Sequence, residues 1–149
     1  MYRKILVPYD GSAFSERAID HAIHLSEISG AEILLVNATV LPTLIYSYEA
    51  AANAAINEAA RLIVTSSKDA AIKSLQATVE KIRKSGIPAS YRHTVGDPAE
   101  MILEIAEKEK ADLIVMGSKG LHGLAKIKAL GSVTRKITEN ATCPILIVH

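Results

Sequence analysis

Two glycine-containing segments in the last third of the chain have the residue types that hold a phosphate group. The first reads Gly117-Ser-Lys-Gly120 and the second reads Gly131-Ser-Val-Thr134. Glycine lets the backbone turn tightly and approach a ligand, and a helix that starts at the second segment presents free N–H groups and the positive end of its dipole. The hydroxyl groups of the second segment add hydrogen bonds, and a lysine could balance the phosphate charge: Lys119, Lys126 or Lys128. The pattern predicts a phosphate-binding loop; the alternative is that the glycines are only turn and helix-cap residues.

The rest of the sequence offers no strong catalytic or metal-binding pattern. His21 and His24 lie three residues apart on a predicted helix, but no third metal ligand is evident near them. The P-loop pattern Gly-x4-Gly-Lys-Ser/Thr and the nucleophile pattern Gly-x-Ser-x-Gly are both absent, and no residue is marked as a general base. Cys143 is the single cysteine, which excludes an internal disulfide. The residues by themselves therefore leave catalysis open.

The composition is that of one ordinary domain. Apolar residues make up 49% of the 149 positions, enough for a hydrophobic core, and one domain is expected over residues 1–149. The formal net charge is +1, so no broad electrostatic field would attract nucleic acid or an acidic membrane. The N-terminal apolar run is too short for a signal sequence, and no other segment reaches the length of a membrane span. We expect a cytoplasmic protein that binds neither nucleic acid nor membrane.

Short apolar runs alternate with longer segments of helical period, which favours βαβ units and a mostly parallel sheet. Strands are predicted at residues 4–8, 32–38, 88–95, 112–116 and 144–148. Helices are predicted at residues 12–29, 48–85, 98–110 and 131–139. Ser12 and Asp97 are the expected N-caps, Gly30 ends the first helix, and Thr65-Ser66-Ser67 marks a break or a bend in the second. The third strand carries polar side chains and therefore suits an edge of the sheet.

A doubly wound parallel sheet also predicts where a ligand binds. In such sheets, ligands lie beyond the carboxyl ends of the strands, at the point where the winding direction reverses. We expect three segments at this place, those that follow the first, second and fourth strands, at residues 8–12, 37–40 and 117–120. The first glycine segment is one of the three, so the topology and the phosphate pattern indicate the same place.

Three segments of the chain are similar to one known family. They are Lys4-Ile-Leu-Val-Pro8-Tyr-Asp10-Gly-Ser12, then Ala111-Asp-Leu-Ile-Val-Met-Gly117-Ser, then Gly131-Ser-Val-Thr together with Cys143-Pro-Ile-Leu-Ile-Val148. Together they resemble the universal stress proteins, and the resemblance extends over the whole chain. It implies an α/β fold of the Rossmann-like, adenine nucleotide alpha hydrolase-like type, a three-layer sandwich around a five-stranded parallel sheet of order 3-2-1-4-5.

The resemblance further implies a site for an adenine nucleotide. Nucleotide-binding members have a Gly-x2-Gly-x9-Gly-Ser/Thr loop around the phosphates of ATP, whereas here ten residues separate Gly120 from Gly131. We expect the loop to absorb the extra residue in a bulge at His122-Gly123; the alternative is that Gly120 is displaced from the phosphates. Asp10 has the alternative role of a structural cap for the first helix. By position, the resemblance implies that Pro8, Tyr9 and Asp10 border the adenosine, that Ala38 offers backbone groups to adenine, that Met116 and Gly117 lie against the ribose, and that Gly120, Gly131, Ser132, Val133 and Thr134 hold the phosphates.

These inferences predict a stress-response regulatory protein that binds ATP or AMP, with slow ATP hydrolysis at most. Occupancy of the loop would change the surface shown to a partner, and Mg²⁺ could accompany the phosphates although no acidic cluster marks a protein site for it. The alternative is a nucleotide-free dimeric interaction protein of the same fold. Under either hypothesis, the apolar last strand, from Pro144 to Val148, is expected at an edge of the sheet and pairs with its copy in a homodimer.

Overall fold

Five parallel strands and four helices form the part of the chain that the computed structural model describes, residues 1–40, 54–121 and 129–149. The strands are β1 (Lys4–Pro8), β2 (Glu32–Thr39), β3 (Ala89–Val95), β4 (Leu113–Gly117) and β5 (Ile145–Val148), and the helices are α1 (Ala13–Ser29), α2 (Ala54–Lys84), α3 (Pro98–Lys108) and α4 (Ser132–Asn140). The strands lie in the order β3-β2-β1-β4-β5, and each neighbouring pair is parallel. The α/β class and the strand order are therefore confirmed.

Alternate residues of the strands point to opposite faces of the sheet and form two core layers. Val7 belongs to the layer beneath α1 and α2, whereas Leu6 and Met116 belong to the layer beneath α3 and α4. All five residues of β4 are buried, as expected for a strand covered on both faces. At the end of β1, the alternation places the Tyr9 ring in the first layer and leaves Pro8 on the opposite face. This choice of face decides which side chains can reach the site at the strand ends.

The two edge strands are those that the sequence predicted. β3 carries the exposed Arg92 and the half-buried His93 at one edge, and β5 lies at the other. Leu146 of β5 keeps 37% of its surface exposed. The polar side chains of β3 fit a strand with solvent beside it, while the apolar β5 presents an uncovered strand edge.

The helix ends follow the predicted capping residues. The Ser12 side chain accepts a hydrogen bond from the backbone of the first turn of α1, and Gly30 ends that helix with a φ of 74°. Asp97 caps α3 in the same way, with Pro98 at the first helical position. α3 ends before the predicted Lys110, because that residue has a φ of 54°, which a continuing helix does not allow.

Helix α2 is continuous, so Thr65-Ser66-Ser67 does not break it. The Thr65 hydroxyl donates a hydrogen bond to the carbonyl of Arg61 at 2.9 Å, which satisfies the side chain within the helix. The predicted start of this helix, at residues 48–53, lies outside the described residues. α2 has 31 residues, yet neither it nor another described helix is both long and apolar enough to cross a membrane.

A cluster of ion pairs connects residues of β1, β2 and β3 with Glu109, which follows α3. Lys4 Nζ lies 3.0 Å from Glu32 Oε1 and 3.0 Å from Glu109 Oε2, and Arg92 Nη2 lies 2.9 Å from Glu109 Oε1. The hydrogen bond from Lys4, assisted by the charge of Arg92, lowers the pKa of Glu109 below its ordinary value of 4.5. The carboxylate of Glu109 therefore contributes stability only while it is ionised.

We expect the Glu109→Gln variant to lose about 0.5–1 kcal/mol of unfolding free energy at pH 7. Because folding lowers the pKa of Glu109, this contribution is complete above its ordinary pKa and disappears as the pH falls through the folded-state value. The gap between wild type and variant should thus be constant from about pH 6 to 8 and close below about pH 4. Urea denaturation at several pH values measures this difference in unfolding free energy, and Glu139→Gln, at an exposed position of α4, is the control. A gap that persists unchanged at pH 3 would contradict the assignment.

Candidate functional site

A cavity of about 510 Å³ opens at the carboxyl ends of β1, β2 and β4, beside the first turns of α3 and α4. Its position agrees with the general rule for ligand sites in doubly wound sheets. Every residue of the predicted site lies on its wall, although separate stretches of the sequence supply them. These residues are Pro8, Tyr9, Asp10, Ala38, Met116, Gly117, Gly120, Gly131, Ser132, Val133 and Thr134.

Sequence reasoning missed two apolar residues of the wall. Val36 and Ile102 also line the cavity, and both belong with Met116 to the core layer beneath α3 and α4. Val36 precedes Ala38 by two residues, so the alternation of β2 could have revealed it. No local signal shows that the start of α3 packs beside the strand ends, and Ile102 was therefore missed. The remaining lining residues are Ser15, Asn37, Val40, Pro98, Lys119 and Leu121.

Gly117 is a glycine because β4 ends against the first turn of α1. A Cβ atom at this position would lie 2.7 Å from Phe14 Cβ and 2.8 Å from the carbonyl carbon of Phe14. Backbone atoms cannot be displaced cheaply, so no side chain fits there without movement of α1. The close approach brings the end of β4 and the start of α1 together at the floor of the cavity.

The two glycine segments are joined to each other by hydrogen bonds. The N–H of Gly131 donates to the carbonyl of Ser118 at 2.9 Å, and the buried hydroxyl of Thr134 donates to the carbonyl of Gly117 at 3.1 Å. These bonds attach the start of α4 to the end of β4. The Thr134 hydroxyl therefore holds the loop together instead of projecting as a free donor.

Asp10 connects the loop after β1 to the first glycine segment. Its Oδ1 accepts a hydrogen bond from the N–H of Ser12 at 2.9 Å, and its Oδ2 accepts one from the N–H of Leu121 at 3.0 Å. The same Oδ2 lies 2.7 Å from the position that a Cβ atom of Gly120 would occupy. The N-cap of α1 is Ser12, so the alternative role of Asp10 as the helix cap is wrong.

Tyr9 contributes its backbone to the cavity, because its ring lies in the core. The side chain is 7% exposed, and its hydroxyl lies 2.8 Å from Glu16 Oε1 and 3.2 Å from Ser74 Oγ. The Asn37 side-chain amide donates to the Tyr9 carbonyl at 2.9 Å and joins the ends of β1 and β2. The ring thus anchors the loop after β1 in the core, where it cannot stack on a ligand in the cavity.

The start of α4 is the clearest anion-binding feature of the wall. Gly131 is its N-cap, and no side chain caps the helix. Within the described residues, no hydrogen bond occupies the N–H groups of Ser132, Val133 and Thr134, which lie in its first turn. Such N–H groups, together with the positive end of the helix dipole, bind anions.

One of the lysines proposed to balance phosphate charge lies on the cavity wall. Lys119 is 9% exposed, and its Nζ lies 6.0 Å from the centre of the Phe14 ring. The other two lysines, Lys126 and Lys128, and the bulge expected at His122-Gly123 lie outside the described residues.

A resident metal does not fit the described walls. Within residues 1–40, 54–121 and 129–149, no three His, Cys, Asp or Glu side chains are grouped so that they could hold a metal ion. Both oxygens of Asp10 already accept backbone hydrogen bonds. Cys143 lies elsewhere, and burial raises the pKa of its thiol, which keeps it protonated at neutral pH.

Comparison with known proteins finds one family whose sequences match this chain. All of residues 1–149 match the family model described as the universal stress protein family. The universal stress protein YxiE of Bacillus subtilis (strain 168) is 34% identical over an alignment of 157 positions that covers 100% of both chains.

Solved structures show the same similarity. Protein MJ0577 of Methanocaldococcus jannaschii superposes with a TM-score of 0.82 at 28% identity, covering 99% of this chain and 96% of its own. A universal stress protein crystallised in complex with cAMP superposes with a TM-score of 0.64 at 28% identity, covering 99% of this chain and 97% of its own.

Proposed function

The chain belongs to the universal stress protein family, and we propose that it is a regulatory protein that binds an adenine nucleotide in the cavity at the ends of β1, β2 and β4. One observation carries the proposal. The predicted residues line a single cavity of about 510 Å³ that combines an apolar wall with the uncapped start of α4. Small-molecule sites have this size and this combination of apolar surface with a few polar groups. A related protein of the family is known in complex with cAMP.

The apolar wall suits the base and the ribose. β2 continues past its last partner on β1, which is the pair of Pro8 and Val36, so the end of β2 at Ala38 is not covered by β1. Adenine would lie there, between backbone groups of Ala38 and the side chains of Val36 and Ile102. The ribose would lie against Met116 and Gly117.

The polar end of the cavity suits the phosphate. The N–H groups of Ser132, Val133 and Thr134 would bind phosphate oxygens, with the α4 dipole adding favourable electrostatic energy. Lys119 is the cation on the described wall. Any Mg²⁺ that arrives with ATP would be bound by the phosphates, since the described residues lack a metal site.

The nucleotide is proposed to act as a signal and not as a rapidly consumed substrate. Asp10 is the carboxylate on the described wall, and its two oxygens accept N–H groups of Ser12 and Leu121, so it is poorly placed to activate water. Binding would instead change the surface formed by the glycine segments, which a protein partner could recognise. We place this role in the cytoplasm, as the sequence predicts.

Calorimetry with nucleotide-stripped protein tests the proposal. We expect saturable, stoichiometric binding of at least one of AMP, cAMP and ATP. An absence of binding by a folded protein would favour the alternative, a nucleotide-free interaction protein, for which the ten-residue spacing between Gly120 and Gly131 is the motivating feature.

Homodimer formation through β5 is the second part of the proposal. The strand lies at an edge of the sheet, and its Leu146 is partly exposed. Pairing with a second copy across a two-fold axis would cover this edge. Light scattering at micromolar concentration should give the mass of a dimer, and Leu146→Lys should give a monomer. A monomeric wild-type protein would contradict this part.

A further inference from the structure

A second cavity, of about 330 Å³, lies between α3 and the segment that joins α4 to β5, and we call it the α3 groove. Its apolar floor is formed by Leu103 and Ala106 of α3, Ile114 of β4, and Ala141 and Cys143 of the joining segment. All five belong to the core layer beneath α3 and α4 or pack against it. Among the described residues, none lines both cavities, so the groove is a separate surface.

One rim of the α3 groove is acidic. Glu100, Glu104 and Glu107 line it at intervals of four and three residues, which places them on one face of α3. Lys136 Nζ lies 2.9 Å from Glu100 Oε1 and balances that charge. Glu104 and Glu107 are exposed, and within the described part of the chain no ion pair or side-chain hydrogen bond occupies their carboxylates. The described lining residues include no lysine or arginine, so two negative charges of the rim lack a counter-charge.

The shape and charge of the α3 groove favour one kind of partner. The formal net charge of the chain is +1, so the acidity of the rim is local. An apolar floor beside an acidic rim is complementary to a peptide that carries apolar side chains next to lysine or arginine. Glu104 and Glu107 lie about one helical turn apart, and cations three or four residues apart on a partner helix have the same separation. The small volume suits a few side chains of a larger partner, since pockets for whole small molecules start at about 300 Å³.

We propose that the α3 groove is the docking site for a basic amphipathic helix of a protein partner. Apolar side chains of that helix lie on Leu103, Ala141 and Cys143. Its lysine or arginine side chains pair with Glu104 and Glu107. The proposal does not depend on nucleotide binding, because the groove shares no described residue with the first cavity.

Fluorescence anisotropy with the full chain tests the proposal. The probe is a fluorescein-labelled helical peptide of about 15 residues, built from Leu, Ala and Lys with a lysine at every third or fourth position, and the reference peptide has Gln in place of each Lys. We expect the probe to bind at least about 10-fold more tightly than the reference. The double variant Glu104→Gln, Glu107→Gln should weaken probe binding about 5-fold or more. The matched control, Asp20→Asn with Glu27→Gln, removes two exposed carboxylates from α1, which covers the other core layer, and should keep wild-type affinity. Equal affinities of the two double variants would overturn the proposal.

Cys143 shows whether the peptide lies in the groove, because it is the single cysteine of the chain and is a half-buried residue of the groove wall. Saturating probe should slow the alkylation of its thiol by N-ethylmaleimide about 5-fold or more, since the reaction requires access to the sulfur. An unchanged rate would overturn the proposal. Equal protection by spermidine would assign the groove to small cations, and protection that rises with protein concentration, without peptide and without probe binding, would assign it to a second copy of this chain; either result would also overturn the proposal.

Discussion

The Gly117→Ala variant should lose about 2–3 kcal/mol of unfolding free energy, the largest stability effect that we expect from a single added methyl group in this protein. The new Cβ would lie 2.7 Å from Phe14 Cβ and 2.9 Å from the carbonyl oxygen of Phe14. Relief requires α1 to move away from β4 at its first turn, where Ser12 caps the helix. Because β4 is an interior strand and fully buried, the strand cannot move in its place.

Gly131→Ala is the matched control for this substitution. It adds the same methyl group to the other glycine segment, where the nearest atom, Lys119 Cα, lies 3.4 Å away, and the φ of −63° suits alanine. We expect it to change stability by about 0.5 kcal/mol or less. Chemical denaturation followed by far-UV circular dichroism measures both variants. Equal losses would show that the contact with Phe14 is not what requires glycine at position 117.

Ala38→Phe should reduce nucleotide affinity about 100-fold or more while the fold is retained. Ala38 lies at the end of β2, and a phenyl ring there would occupy the space between Val36 and Ile102 in which we place the base. The change is compatible with a strand, since aromatic residues are favoured in strands and β1 does not cover this end of β2. The thermal melting temperature should therefore stay close to that of wild type.

Ala70→Phe provides the control, because it makes the same change at an exposed position of α2. Calorimetry with AMP should find wild-type affinity in this variant and the loss of about 100-fold or more in Ala38→Phe. Wild-type affinity in a folded Ala38→Phe variant would mean that the base does not lie at the end of β2. The substitution changes the part of the cavity in which we place the base and leaves the start of α4 unaltered.

The extra residue in the glycine loop does not separate the two glycine segments. Ten residues separate Gly120 from Gly131, where the family pattern has nine. The ends of the loop nevertheless meet, since the N–H of Gly131 bonds to the carbonyl of Ser118 at 2.9 Å. The extra residue therefore does not hold the second segment away from the end of β4, and the start of α4 remains on the cavity wall.

Local features of the structure could be predicted from the sequence. The apolar runs predicted the five strands to within about one residue, and the caps at Ser12, Gly30 and Asp97 were predicted correctly. These features depend on residues close together in the chain, through side-chain period and backbone hydrogen bonds. The strand order, in contrast, was implied by the family resemblance and not by any periodicity, because pairing between strands leaves no local signal.

The sequence by itself thus determined the elements, their order along the chain and the segments that follow the strands. Only the tertiary structure decided how those segments meet. It turned the Tyr9 ring into the core, placed Phe14 against Gly117, and joined Asp10 to Leu121 across 111 positions of the chain. The physical reason is that a residue's own neighbours determine its backbone conformation and its face, whereas contacts between distant segments depend on how whole layers pack against the sheet.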